Sequence, residues 1–240
     1  MANCCRASGF VFKKEDKSEA DRMFYIFTEE FGCLNVFARA IRKMASKLKS
    51  GIDIFSISQI EFIQGKNKKT LTDAVFEKKF ENIKISPKKF KIANMICQSL
   101  DNFVKEQEKD KQIFNLLKEC FEELNNNCLK EEKCDLIYYY FIWNLFSLLG
   151  FKPELRKCAN CFSKLEPVEI YFSAGYGGTV CKKCYKKNNS SQKIRQDAVK
   201  ILRIILEKDI KKTLKLKTEE EFEVLLEGVT NNYSCHIINK

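Results

Sequence analysis

Histidine, phosphate-binding loops and clustered carboxylates are scarce or missing in this chain of 240 residues, which argues against catalysis. The only histidine is His236, so a histidine triad, a histidine-rich catalytic metal site and a histidine acid–base pair are excluded. No Gly-x-x-x-x-Gly-Lys motif followed by serine or threonine is present. Acidic residues are scattered, without the carboxylate cluster that a metal-dependent nuclease requires. We therefore expect a protein that is not an enzyme.

Long apolar segments are also missing. The longest apolar run, 136–149, is interrupted by polar residues and falls short of the roughly 20 residues that cross a bilayer. The first residues lack the basic region and apolar stretch of a secretory signal. The chain has 12 cysteines, which without such a signal indicate a reducing compartment. We expect a cytoplasmic protein with no membrane partner.

Positive charge is what the chain has in excess. Lysine and arginine number 43 against 32 acidic residues, which gives a formal net charge of +11. A basic protein favours anionic partners, and nucleic acid is the first of these. The alternative is that a chain rich in lysine, asparagine and isoleucine reflects genome base composition. Charge alone does not decide between the two.

Two pairs of cysteines are the most specific motif. Each pair has two residues between its members, and 19 residues separate the pairs: Cys158, Cys161, Cys181 and Cys184. This spacing lets four thiolates converge on one tetrahedral ion, for which Zn²⁺ is the usual choice. A four-sulfur site leaves no position open for water or substrate, so we expect one structural zinc. A redox or disulfide role is the alternative, but it would need only one pair with a lowered pKa.

The first 80 residues have the pattern of β-strands. Apolar and alternating runs at 6–12, 22–28, 33–40, 52–63 and 71–76 predict five strands. Residues 30–32 predict a hairpin turn between the second and third. Five strands in about 75 residues suit a small closed barrel such as an OB-fold, although other small barrels also fit.

Helical periodicity begins at residue 86. Ser86 is a good N-cap and Pro87 suits the first helical position. Residues 136–149 are apolar nearly all round, which predicts a central, buried helix that ends at Gly150. Thr218 and Glu221 form a capping-box pattern before a last helix. Because helical patterns flank the cysteines on both sides, residues 158–184 are interpreted as a module inserted in a helical domain.

Basic residues cluster where the third strand ends. The segment 33–52 contains no acidic residue, and a second basic group follows in the next hairpin. The predicted nucleic-acid-binding residues are Arg39, Arg42, Lys43, Lys47, Lys49, Lys66, Lys68 and Lys69. Such a surface binds phosphates by charge neutralisation and counterion release. The alternative is a merely solvated face. Lys182, Lys183, Lys186 and Lys187 form another basic edge, which could contact phosphate or keep the cysteine module soluble.

Aromatic side chains in the strand region could stack on bases. The candidates are Phe10, Phe12, Phe24, Tyr25, Phe37 and Phe55. Stacking on aromatic rings is the usual way to hold single-stranded nucleic acid without reading its sequence. A barrel of about 75 residues needs most of these rings in its core, so we expect only a minority at the surface.

The chain resembles the RecO family of bacterial recombination mediators in three places. The first is the early strand pattern at 9–12, 24–28 and 31–32, and the second is the basic segment 37–43 with Ser46. The third and most specific combines 150–155, the four cysteines, Phe172-Ser173 and Gly177-Gly178 in order. The family tends to have glycine where Ala40 and Phe162 stand. At Phe162 a glycine would ease the turn that follows the second cysteine.

The resemblance implies a multi-domain α+β chain. It consists of an N-terminal OB-fold β-barrel over 1–80 and a C-terminal helical domain over 81–240, with the zinc module 158–184 inserted. It further implies a cytoplasmic, nucleoid-associated protein that binds single- and double-stranded DNA and anneals complementary strands. RecR and single-strand-binding protein would be its partners, and RecA, loaded onto coated DNA, an indirect one. The alternative is a zinc-ribbon adaptor that binds protein and has no direct role on DNA.

Overall fold

Five strands form the first half of the chain. They are β1 (Asn3–Asp16), β2 (Arg22–Thr28), β3 (Gly32–Ala38), β4 (Ser56–Gln64) and β5 (Lys69–Lys79). In this computed structural model, which describes residues 3–66, 68–104, 109–166, 169–187, 191–216 and 220–239, they pair in the order β1-β2-β3-β5-β4. Because β4 also pairs with β1, the sheet is a closed barrel. The predicted strand-rich amino-terminal region is confirmed, and β2 has its predicted bounds.

Alternation of side chains explains why these segments fill a barrel. Along β3, Leu34, Val36 and Ala38 are buried while the residues between them are half-buried. They pack against the inward residues of the other strands in one core that includes Phe24 and Phe62. Burying apolar side chains on one face and leaving the other wet is what fixes the register of each strand.

The barrel closes at a short seam. The strands β3 and β5 run parallel there and pair only at Val36–Lys69 and Phe37–Thr70. By contrast, β1 is long enough to pair with β4 through Val11 and with β2 from Gly9 onwards, with an irregularity in the latter ladder between Val11 and Lys13. A bulge of this kind bends a strand and increases its twist, which helps a small sheet to close.

Ala40, directly after β3, has a backbone conformation that glycine adopts more easily. Its φ is 55°, its amide donates a 2.8 Å hydrogen bond to Asp21, and the turn continues into the basic segment. We expect Ala40→Gly to raise the free energy of unfolding by about 0.5–1 kcal/mol, because a side chain in this region costs more than the flexibility of glycine. Urea unfolding measures the change. Ala38→Gly, in the strand and buried, is the control and should destabilise.

Three helices pack on the barrel within the same unit. They are α1 (Glu81–Ile85), α2 (Pro87–Phe103) and α3 (Lys111–Asn125). Ser86 caps α2 by accepting a hydrogen bond from the Lys89 amide, with Pro87 at the first position, as predicted. Phe121 of α3 contacts Phe10 of β1, with ring centroids 4.5 Å apart. The compact unit therefore extends over Met1–Cys134; the domain boundary at residue 80 remains a prediction.

The second compact unit, Asp135–Lys240, has a helical body. It contains most of α4 (Cys134–Leu148), then α6 (Gln196–Glu207), α7 (Ile210–Thr213) and α8 (Glu220–Ile238). Trp143 of α4 is fully buried, and its indole donates a 3.1 Å hydrogen bond to Thr230 of α8. The predicted central helix is thus confirmed; it ends at Leu148, and Gly150, two residues later, has φ 87°. No helix in the described ranges is both long and apolar enough to cross a membrane.

Between α4 and α6 lies a small sheet with the cysteines. Its strands β6 (Ile170–Ser173), β7 (Gly178–Cys181) and β8 (Gln192–Ile194) are ordered β7-β6-β8, and α5 (Lys182–Lys187) follows β7. Residues 167 and 168 lie outside the described residues. Thr218 of the predicted capping box also lies outside them.

Candidate functional site

The four cysteines of the repeated motif converge. Their sulfur atoms all lie within 4.8 Å of one another, and the Sγ atoms of Cys161 and Cys181 are 3.8 Å apart. A tetrahedral zinc with Zn–S bonds of about 2.3 Å requires sulfurs about 3.8 Å apart. The donor set therefore fits one Zn²⁺, and this is the only group of three or more cysteine, histidine or acidic residues that could hold a metal among the described residues.

The first pair is placed by a tight turn. The amide of Phe162 donates to the carbonyl of Cys158 at 2.9 Å, and the amide of Cys158 donates to the carbonyl of Ser163 at 2.9 Å. These two bonds bring both thiols to the same side of the loop. Phe162 has φ 61°, the left-handed conformation for which a glycine is better suited.

The second pair is placed by β7 and α5. Cys181 ends the strand and its amide points to the Sγ of Cys158 at 3.4 Å, while Cys184 lies one turn into the helix. Gly178 at the start of β7 lets the backbone of Glu154 approach, because a Cβ there would lie 2.3 Å from the Glu154 carbonyl oxygen. The strand is thereby held against the first cysteine loop.

Two of the thiols differ in acidity before any metal binds. Hydrogen bonds from the hydroxyl and amide of Ser163 lower the pKa of Cys161 to about 6, which favours the thiolate that a metal requires. Burial raises the pKa of Cys184 to about 12, so this is the thiol whose proton a metal has to displace. Metal binding at this site is therefore expected to release protons and to weaken as pH falls.

Two of the predicted basic residues, Arg39 and Lys68, lie near each other at the end of β3. Arg39 and Lys68 both lie near Asp21 and contribute to lowering its pKa, which a backbone hydrogen bond from Ala40 lowers most. Lys68 places its ammonium 4.1 Å from the centroid of the Phe37 ring. The end of β3 and the turn before β5 therefore present their cations to the same surface.

The eight predicted cations are not equally available. Six are exposed and form no ion pair among the described residues: Arg39, Lys43, Lys47, Lys49, Lys66 and Lys68. Arg42, by contrast, donates to the Ser18 carbonyl at 2.9 Å and lies 3.5 Å from Asp16. Lys69 is half-buried in the ladder of β5. We name the six exposed residues the barrel cations. Whether any of the eight binds DNA stays a prediction.

Two basic residues that the sequence did not single out join this surface. A cleft of about 330 Å³ is lined by Lys14, Arg22, Phe24, Ile41, Arg42, Lys49, Ile52, Asp53 and Phe76. Lys14 and Arg22 come from neighbouring strands, and Arg22 is 2.7 Å from Asp16. Gly51 positions the short turn that carries Lys49, because a Cβ at Gly51 would lie 1.7 Å from the Ala74 carbonyl oxygen.

The aromatic candidates divide as expected. Phe10, Phe12, Phe24 and Phe55 are in the core, and only Tyr25 and Phe37 are half-buried at the surface. Both of these rings already lie under a lysine, Lys13 over Tyr25 and Lys68 over Phe37. Of the six candidate rings, Tyr25 and Phe37 are therefore the two available to a base.

Asp53 at the cleft gives the barrel a measurable pH dependence. Burial opposes its ionisation, but hydrogen bonds from Lys14 and Lys84, both 2.6 Å, outweigh burial and lower its pKa from 3.8 to about 2. The lowered value stabilises the fold above about pH 4, and the stabilisation is lost as pH falls through 2. We expect Asp53→Asn to cost about 1 kcal/mol at pH 6, discounted for solvent screening, and almost nothing at pH 2. Urea unfolding at the two pH values measures this, and an equal cost at both would contradict it.

A basic closed barrel joined in one chain to a helical unit defines the class: a two-unit protein with exposed basic residues on the barrel and four clustered cysteines that could hold a metal ion. Sequence models of two regions match, "Recombination protein O N terminal" over residues 1–80 and "Recombination protein O C terminal" over 86–237. The chain belongs to the recombination protein O family, and its role is in DNA repair.

Individual relatives agree with the family assignment. The DNA repair protein RecO of Dehalococcoides mccartyi is 33% identical over 90% of this chain and 83% of its own length. Those of Alkaliphilus metalliredigens and Caldanaerobacter subterraneus are each 27% identical, over 95% and 98% of this chain and 91% and 90% of their own lengths. The likeness therefore extends over both compact units.

Proposed function

We propose that the protein is a DNA-binding recombination mediator and that its barrel, an OB-fold, holds the DNA backbone. Support comes from the barrel cations, six exposed basic side chains in the two segments that follow β3 and β4, with the rings of Tyr25 and Phe37 on β2 and β3. OB-folds bind oligonucleotides on the face of their second and third strands and on the loops beside it. Here that face carries both rings, and Lys66 and Lys68 belong to a loop beside it.

The proposed mode of binding is electrostatic and independent of sequence. Lysine and arginine side chains neutralise phosphates and release counterions, while the bases remain free to pair. A protein that holds a strand in this way can bind single- and double-stranded DNA and can bring complementary strands together. It does so stoichiometrically, without a catalytic step, in the cytoplasm at the nucleoid.

Within repair, we propose that the protein acts after single-strand-binding protein has coated the DNA and before RecA carries out strand exchange. With RecR it would load RecA onto DNA that single-strand-binding protein covers. The support is membership of the family together with a DNA-repair role. The zinc site would act only as a structural support, because all four of its coordination positions are protein thiolates.

Salt dependence of DNA affinity tests the proposal. Labelled single-stranded oligonucleotide is titrated with purified, zinc-loaded protein at several salt concentrations between 50 and 200 mM. If the six barrel cations each neutralise one phosphate, the logarithm of affinity should fall with the logarithm of salt with a slope of about −4. A mixed-sequence duplex should show the same type of dependence. Failure to bind either DNA at the lowest salt would sink the proposal and leave the zinc-ribbon adaptor as the better account.

A further inference from the structure

The cysteine module carries an exposed aromatic ring at a costly backbone position. Phe162 directly follows the second cysteine, has φ 61°, and leaves 66% of its surface in solvent. The metal loop itself needs no side chain there, and a glycine would adopt this conformation without strain. A ring that is both strained and exposed contributes little to the fold, so its role has to be sought outside the module.

The surroundings of the ring are basic. The ammonium of Lys157 lies 4.7 Å from the centroid of the Phe162 ring. The backbones of Lys157 and Lys164 form an isolated antiparallel β-bridge across the loop. One face of the ring is thus covered by a cation, and the exposure leaves the other face to solvent. A ring with a cation on one face is well suited to a stacked base and its phosphate.

Further lysines continue this surface on α5. Lys182 is paired with Glu169 at 2.6 Å, but Lys183, Lys186 and Lys187 are exposed and form no ion pair in the described part of the chain. Between residues 154 and 195 the sequence has nine basic and three acidic residues, which leaves the module positive even after a four-thiolate zinc site subtracts two charges. Lysine is depleted at protein–protein interfaces, so this composition favours a polyanion over a protein partner.

We propose that Phe162 and the lysines around it form a second binding site, for single-stranded DNA, in the unit that holds the metal. One base stacks on the open face of Phe162, while Lys157, Lys164 and the lysines of α5 contact phosphates. The ligand is single-stranded because a duplex keeps its base faces covered. Small zinc-bound loops use the same combination of stacking and phosphate contact on single strands. Binding at this second site does not depend on DNA binding by the barrel.

Replacing the ring separates this role from the metal site. Phe162→Gly relieves the backbone strain, so zinc content and thermal stability should stay the same or rise. Affinity for labelled single-stranded DNA should nevertheless fall about fivefold, the loss expected for one stacked base. The slope of affinity against salt should not change, because no charge is removed. Phe162→Tyr keeps a ring and should restore the affinity. Wild-type affinity in Phe162→Gly, or a loss that Phe162→Tyr does not restore, overturns the proposal.

The lysines have a matched control. Lys183→Gln with Lys186→Gln should reduce the salt slope by about 1.4 for a single strand, whereas Lys211→Gln with Lys215→Gln, equally exposed in the same unit, should not. Cross-linking of wild-type protein to an oligonucleotide with 5-iodouracil gives an independent readout. A cross-link in the peptide 157–164 supports the site, and its absence overturns it. Repeating Phe162→Gly in a variant with reversed barrel charges shows whether either site acts alone.

Discussion

Replacing Cys184 with serine is expected to abolish zinc binding and to unfold the cysteine module, while the barrel unit keeps its structure. The reason is that the cysteine module without zinc would have only a very small apolar core. Cys158 and Cys184 themselves belong to the module's apolar cluster, in which Tyr171 and Val180 are the other buried members among the described residues. Binding of a structural zinc contributes on the order of 10 kcal/mol to the folding of such small domains.

The measurement has two parts. Elemental analysis should find about one zinc per chain in the wild-type protein and none in Cys184→Ser. Hydrogen exchange should show loss of protection in β6 and β7, and treatment of the wild-type protein with a chelator should reproduce it. Cys235→Ser, an exposed cysteine outside the quartet, is the control and should behave as wild type. Protection that survives both treatments would show that the module folds without metal.

Reversing two barrel cations is expected to weaken DNA binding about ten- to hundredfold at low salt. Arg39→Glu with Lys43→Glu is the suitable variant, because neither side chain donates a hydrogen bond to any residue of the barrel that the structure describes. Arg42 is left in place since its bond to Ser18 holds the turn. Two lost phosphate contacts should also reduce the salt slope by about 1.4 for a single strand, and the loss should be the same for all sequences.

The control for this variant carries the same change of charge. Lys91→Glu with Lys118→Glu alters two exposed lysines on α2 and α3 of the same unit, which form no ion pair in the described structure. If affinity fell equally in both variants, the loss would reflect net charge, and the assignment of the binding surface would be wrong. A loss confined to Arg39 and Lys43 identifies the end of the barrel as the place where DNA lies.

Local signals were sufficient for much of the structure. The β2 strand, the Ser86 cap, the buried helix α4 and the metal-binding quartet are all encoded by neighbouring residues. The two positions at which the family resemblance favours glycine, Ala40 and Phe162, both have positive φ. Both turns therefore keep the left-handed backbone conformation that favours glycine, although alanine and phenylalanine occupy these positions here.

The features that could not be predicted from the sequence depend on the register in which the strands pair. Lys14 and Arg22 reach the cleft only because β1 and β2 pair with a particular offset, which the irregularity near Val11 and Lys13 sets. The same register brings Asp16 to Arg42 and so reduces the availability of a predicted cation. Counting basic residues along a segment therefore overestimates the free charge, since the pairing of charges across strands is not visible in one strand.

The seam between β3 and β5 has a dynamic consequence. Two residue pairs hold the barrel shut there, so this is where the sheet should open most easily and where amides should exchange fastest. Arg39 continues from one side of the seam and Lys68 leads into the other. A polyanion that contacts both Arg39 and Lys68 would bridge the seam. Opening of the barrel at the seam would then be coupled to release of the bound DNA strand. Bound DNA would then slow amide exchange at Val36 and Thr70.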